Sequence, residues 1–166
     1  MSIRAIAAAG VILVALSGGL SSKTFELPEG KPVVAIELPD RWTPEAIERG
    51  AQAASPDSAV YVAFQVADAR ETDTAIADAV TFFGAAGIRI DPATQRRLEA
   101  KINGFDVIDV TWDGSDTNGP TKVALSVFLL SDAKIGILTY RGSAAGEATY
   151  AAALRTITDS IRPAGR

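Results

Sequence analysis

The chain has 166 residues, 48% of them apolar, with 16 basic and 20 acidic side chains, no cysteine and no histidine. That length and apolar fraction suit one domain with a real core, while a formal charge of −4 argues against a nucleic-acid binder, which needs a basic face to neutralise phosphate. Without His or Cys there is no Ser-His-Asp triad, no cysteine nucleophile, and no imidazole or thiolate ligation of zinc or haem.

Arg4 sets one positive charge before Ala5–Leu16, a run without charge and nearly without polarity, and Ser17, Gly18 and Gly19 follow it. These are the parts of a secretory signal peptide, and Ala15-Leu16-Ser17 supplies the small-x-small exit, so cleavage is expected after Ser17. The apolar run is shorter than the ~20 residues of a membrane span, yet Val11–Leu20 extends it, and an uncleaved anchor stays open as an alternative. A buried helix is disfavoured because the run has no amphipathic face. No cysteine follows, which excludes a lipid-anchored lipoprotein. The expected organisation is a signal peptide over 1–17 and a single domain over 18–166, exported to the periplasm or secreted. Without Arg4 the mature chain keeps 15 of its 16 basic residues against 20 acidic ones, a balance that disfavours anionic lipid surfaces.

Beyond Lys23 no repeat or low-complexity linker divides the chain. Phe25–Gly30 reads as a short strand and turn, and Val33–Leu38 as a second strand stopped by Pro39-Asp40. Gly50–Ala54 and Ala59–Ala67 flank Ser55-Pro56-Asp57-Ser58, a turn with proline where φ must be fixed. The second arm alternates, Val60, Val62, Phe64 and Val66 pointing one way and Tyr61, Ala63 and Gln65 the other, so the pair is a hairpin. Thr72-Asp73-Thr74 opens a helix, its polar side chains placed to cap the first turn. Ile76, Val80 and Phe83 form the expected buried stripe, and Gly84 or Gly87 ends the helix.

A loop through Asp91-Pro92 leads to a four-strand meander. Leu98–Ile102 and Phe105–Asp113 are joined by Asn103-Gly104, a strong two-residue hairpin signal; Thr121–Leu130 and Lys134–Arg141 follow, with Ser131-Asp132-Ala133 between them. A closing helix over about 147–161 carries Tyr150, Leu154, Ile157 and Ile161 on one face, and Pro163 ends it. Alternation puts Ile108, Val110, Trp112, Val123, Leu125, Val127 and Leu129 on one side of the meander. Val107, Ala124, Phe128, Leu138 and Tyr140 fall on the other, among small or polar residues. A sheet apolar on both faces needs cover on both. The expected class is therefore α+β: an antiparallel β-sheet covered by two main helices on opposite faces, a layered α/β/α sandwich.

The order of these elements resembles the PsbP-like fold superfamily. The residues carrying the likeness are Ile36-Glu37-Leu38-Pro39-Asp40-Arg41-Trp42, Ala54-Ser55-Pro56-Asp57-Ser58-Ala59-Val60, Ile102-Asn103-Gly104-Phe105 and the closing Leu154–Ile161. Each is a turn or packing device, so the likeness speaks for fold. It implies a binding or accessory module on a larger assembly, and it carries over no catalytic residue.

The stretch Asp113-Gly114-Ser115-Asp116-Thr117-Asn118-Gly119 has the composition of a calcium loop. Set in the frame of an EF-hand, however, it lacks both the first ligand and the bidentate glutamate. It reads as a plain hairpin loop; no metal and no cofactor is expected. Arg96-Arg97, followed by Glu99 and Lys101, reads as an exposed strand edge. Asp109, Thr111 and Asp113 share one face, lining a polar groove or facing solvent. Trp42, placed to plug the end of the sheet, Trp112 and Tyr140 are the candidate ligand-binding residues.

The leading expectation is a non-enzymatic, exported binding or accessory module, with an envelope protein or a small ligand as partner. Two alternatives stand beside it. One is a carboxylate-dependent hydrolase or transferase, with Asp109 and Asp113 in an acid–base role near Tyr140. The other is a membrane-anchored structural envelope protein that retains its N-terminal segment.

Overall fold

Turn chemistry and side-chain alternation set most of the strands. The computed structural model describes residues 21–165, and the expected export segment, Met1–Ser17, lies outside the described residues. In chain order the elements are β1 (Ser22–Leu27), β2 (Val34–Pro39), β3 (Glu45–Ile47), β4 (Gly50–Ala54), β5 (Val60–Asp68), α1 (Thr72–Ala85), β6 (Arg89–Ile90), β7 (Arg96–Ile102), β8 (Phe105–Asp116), β9 (Gly119–Leu129), β10 (Lys134–Ser143), α2 (Ala144–Ser160) and β11 (Arg162–Pro163). The large sheet runs β3-β4-β5-β10-β9-β8-β6, with β7 also on the outer side of β8, and every pair in it is antiparallel. A small sheet, β1-β2-β11, closes beside it. No helix among the described residues is long and apolar enough to cross a membrane.

The hairpins follow the residues that need unusual backbone. Asn103 and Gly104 both take positive φ, 51° and 90°, which gives a two-residue turn whose twist matches the strands. In the β4–β5 connection the amide of Ser58 donates to the Ser55 carbonyl at 2.8 Å. The Asp57 carboxylate there accepts from the Ser55 hydroxyl at 2.7 Å and the Ala59 amide at 3.1 Å. The stretch read as a loop from Asp113 to Gly119 is mostly strand. Pairing continues to Asp116 and Gly119, and only Thr117 and Asn118 make the turn. The Asp116 carboxylate accepts the Asn118 amide at 2.7 Å, so the acidic residue serves the turn itself.

Both helices cover the sheet on opposite faces. On one face α1 packs over Val123, Leu125, Val127, Ile135 and Ile137 through Ala79 and Phe83. Its expected stripe is shifted: Phe83 is fully buried, but Val80 is 41% exposed, and Ala79 takes the buried place. The sheet beneath has room for the narrow stripe 79 and 83, and position 80 turns past it. Nor does a side chain cap α1. The Thr72 hydroxyl donates backward to the Ala69 carbonyl at 2.7 Å, and a 3-10 turn over Ala69–Glu71 leads into the helix. The helix ends as expected around Gly87, whose φ is +76°. The Ile88 amide donates to Phe83 and the Gly87 amide to Gly84, the paired bonds of a Schellman stop.

On the other face α2 does not act alone. It lies with the small sheet over Val60, Val62, Phe64, Val66, Val107 and Phe128, and Phe25, Leu27, Val34, Ile36 and Leu38 complete that core. The helix starts at Ala144, three residues before the expected Glu147, because the Ser143 hydroxyl caps it by accepting the Gly146 amide at 3.0 Å. Its far end is held by Asn103, whose side-chain amide donates to the carbonyls of Thr158 and Ile161 at 2.9 and 2.8 Å. Pro163, expected to stop the helix, lies with Arg162 in β11, which pairs with β2.

Candidate ligand cleft

Between α2 and the sheet lies an open cleft of about 360 Å³. Its floor is where the strand faces carry small side chains. Ala124 and Ser126 of β9 stand beside Tyr140 and Leu138 of β10, and Thr111 and Asp109 of β8 flank them on the other side. The small side chains at 124 and 126 leave space beneath α2. Ala151, Leu154, Ile157 and Thr158 of α2 form the wall.

One end of the cleft is polar. The Tyr140 hydroxyl donates to Glu147 Oε1 at 3.0 Å, and Lys122 Nζ lies 3.5 Å from Glu147 Oε2. Burial, then the Glu147 charge and the hydrogen bond to it, push the Tyr140 phenol far above its ordinary range, so it stays protonated. Gly142 makes the arrangement possible: a Cβ there would sit 2.1 Å from the Tyr140 hydroxyl oxygen and 3.5 Å from Glu147 Cγ. Toward β8, the Ser126 hydroxyl donates to Asp109 Oδ1 at 2.6 Å.

The three aromatic candidates do not line one cleft. Only Tyr140 does. Trp42 is buried at 3% exposure and meets Tyr150 edge-on at 5.4 Å, as a core residue does. Trp112 points to the opposite face with the α1 core, its indole N–H donating to Gln95 Oε1 at 3.2 Å. Strand parity is the reason, since even-numbered positions of β8 and even-numbered positions of β10 fall on opposite faces in this register.

Asp109 and Asp113 share the cleft's face, but neither carboxylate is bonded to Tyr140; Asp109 holds Ser126 and Asp113 is exposed. Arg96-Arg97 lies on β7, which pairs with β8 alone and forms an exposed edge, as expected. The residues that the sequence reading missed are Glu147, Ser126, Ala151 and Gly142. The signal was present in the small residues at 124 and 126 opposite the apolar stripe of the closing helix. Among the described residues no group of three or more acidic side chains is placed to hold a metal ion. A second, more polar hollow of about 280 Å³ between α1 and β5 is spanned by the Arg49–Glu71 ion pair at 3.0 Å.

Cyanobacterial PsbP (CyanoP) from Synechocystis superposes with a TM-score of 0.56 over 94% of this chain and 97% of its own length, at 10% identity. The fold is PsbP-like. LpqN of Mycobacterium tuberculosis, a protein involved in cell envelope biogenesis, matches the same PsbP-like frame. Its TM-score is 0.52 and its identity 13%, over 86% of this chain and 91% of that one. A protein from Bacteroides thetaiotaomicron matches with a TM-score of 0.54 and 13% identity, over 85% of this chain and 48% of its own. No protein-family model matches the chain, and no curated protein matches it at a significant level. At these identities the likeness is one of fold, and the PsbP-like frame supplies no catalytic or binding residue by itself.

Proposed function

We propose that this chain is an exported accessory module, without enzymatic activity, that holds a small ligand in the cleft between α2 and the sheet. The cleft carries the reading: about 360 Å³, with an apolar floor and wall and one polar end, is the usual composition of a small-molecule site. Its hydroxyls are poorly suited to chemistry. Tyr140 is held protonated against a carboxylate, and Ser126 has no base other than Asp109 beside it. The absence of His and Cys from the chain supports the same reading. The leader-like segment Met1–Ser17 supports export to the periplasm or beyond. The fold likeness to LpqN, a protein involved in cell envelope biogenesis, agrees with an accessory role in the envelope.

The test uses a neutral apolar dye, N-phenyl-1-naphthylamine, whose emission rises on entering a dry site. The purified protein is expected to enhance it, and Ala151→Trp, which fills the cleft from its helical wall, is expected to abolish the enhancement with the circular dichroism unchanged. Enhancement that survives Ala151→Trp removes the cleft from the proposal. A turnover lost in Asp109→Ala or Asp113→Ala without loss of folding would replace the module by the carboxylate enzyme. N-terminal sequencing of protein from its native host checks export, with a start near Gly18 expected.

A further inference from the structure

Granted the cleft reading, on which this inference rests, the direction of the cleft's hydrogen bonds selects the chemistry of its occupant. Among the described residues three hydroxyls line the cleft, and each has its single hydrogen committed. Tyr140 donates to Glu147 at 3.0 Å, Ser126 donates to Asp109 at 2.6 Å, and Thr158 donates to the Leu154 carbonyl at 3.1 Å. A carboxylate and a carbonyl can only accept, so the direction of all three bonds is fixed by chemistry. What the lining offers to an occupant is therefore lone pairs alone: the phenol oxygen, two hydroxyl oxygens and the Glu147 carboxylate.

Among the described residues that line the cleft, Glu147 is also the only acidic or basic one, and its side chain is 31% exposed. Lys122, which faces it, is more exposed at 56% and lies outside the lining at 3.5 Å from Oε2. Asp109, Asp113 and Arg96 stand farther out on the same face of the sheet. The apolar remainder comprises Val62, Ala124, Leu138, Ala151, Leu154 and Ile157.

We infer that the cleft takes a small amphipathic amine, its apolar body lying on Ala124, Leu138 and Leu154 and its protonated nitrogen at Glu147 and Tyr140. An ammonium brings three donors and a positive charge to a set of acceptors, and charge-assisted hydrogen bonds are about twice as strong as neutral ones. A hydroxyl head brings one donor and no charge. A carboxylate or phosphate head brings lone pairs against lone pairs and a like charge against Glu147. To bind, the ammonium takes the position that Lys122 approaches from solvent.

The experiment compares n-octylamine, n-octanol and sodium octanoate at about pH 7, by titration of the full domain followed through the methyl resonances of Ala124, Leu138, Ala151 and Leu154. Octylamine is expected to bind about tenfold more tightly than octanol, the margin between a charge-assisted and a neutral hydrogen bond, and octanoate to leave these resonances unmoved. Glu147→Gln is expected to bring amine and alcohol within about threefold of each other while octanol binding is retained, which also reports that the variant is folded. Lys122→Ala is expected to tighten octylamine. If octanol or octanoate binds in the cleft as tightly as the amine, the preference for a donor head is overturned and the cleft stands as a ligand site. If none of the three moves the cleft methyls, the preference falls together with the cleft reading.

Discussion

The Cβ that Gly142 lacks would lie 2.1 Å from the hydroxyl oxygen of Tyr140. The two residues are neighbours on the same face of β10, and the phenol lies back along the strand over the glycine to reach Glu147. Gly142→Ala therefore drives the ring out of its place, an overpacking that costs about 1–3 kcal/mol. Tyr140→Phe removes only the hydroxyl and its bond, worth about 1.5–3 kcal/mol to a charged partner, whereas Gly142→Ala breaks that same bond and overpacks the site as well. Urea midpoints at constant slope are expected to fall further for Gly142→Ala than for Tyr140→Phe. The reverse order would mean that the glycine is not what admits the hydroxyl.

The Tyr140 phenol also makes stability depend on alkaline pH. Its folded-state value is raised above the 10.0 of an ordinary tyrosine, by burial first and then by Glu147. The folded state therefore binds the proton more tightly than the unfolded chain, and the contribution is fully present below pH 10. It is lost as pH rises from 10 toward the folded value, because the unfolded chain gains from ionising and the folded one does not. Wild type is expected to lose stability more steeply than Tyr140→Phe between about pH 10 and 11.5. Tyr61, also raised and mainly by burial, leaves a residual slope in both. Parallel curves from urea titrations would remove Tyr140 from the account.

Asn103 joins a hairpin turn to a helix end. Its backbone sits at φ 51° and its side-chain amide donates to the carbonyls of Thr158, Asp159 and Ile161. Asn103→Gly keeps the turn and removes the donor, for an expected loss of about 1–2 kcal/mol. Asn103→Asp keeps the turn residue type but sets a carboxylate against the negative end of α2, and is expected to cost more. Equal thermal midpoints for wild type and Asn103→Asp would contradict the capping role.

On α1, adjacent faces separate the expected stripe from the real one. Phe83 has no exposed surface and Val80 is 41% exposed. Phe83→Ala is expected to destabilise by about 3–5 kcal/mol through a cavity against the sheet, and Val80→Ser by no more than about 0.5 kcal/mol. Chemical denaturation of the two variants checks the difference.

Much of the frame was legible along the chain because its signals are local. Asn103-Gly104 needs positive φ at two successive positions, Pro56 and Asp57 build their own turn, and Ile157 and Ile161 recur at helical spacing; none of these depends on a distant partner. Alternation likewise separated Phe128 and Leu138 from Val123, Leu125 and Val127, and the two cores keep that division. What failed was judged from local pattern but decided at long range. Val80 fits a stripe that the sheet does not reach. Trp112 and Tyr140 stand on opposite faces by alternation alone, and the register keeps them there, so they cannot line one cleft.

The cleft belongs to this second kind. Residue order settles that Ala124 and Ser126 are small, that Tyr140 shares their face, and that the chain lacks imidazole and thiol. Only the packed structure decides that α2 passes at a height that leaves those small residues uncovered, and that Glu147 meets Tyr140 from the next element across Gly142. Side-chain size and direction along one strand are fixed by covalent geometry, whereas the distance between two elements is set by every contact that holds them apart.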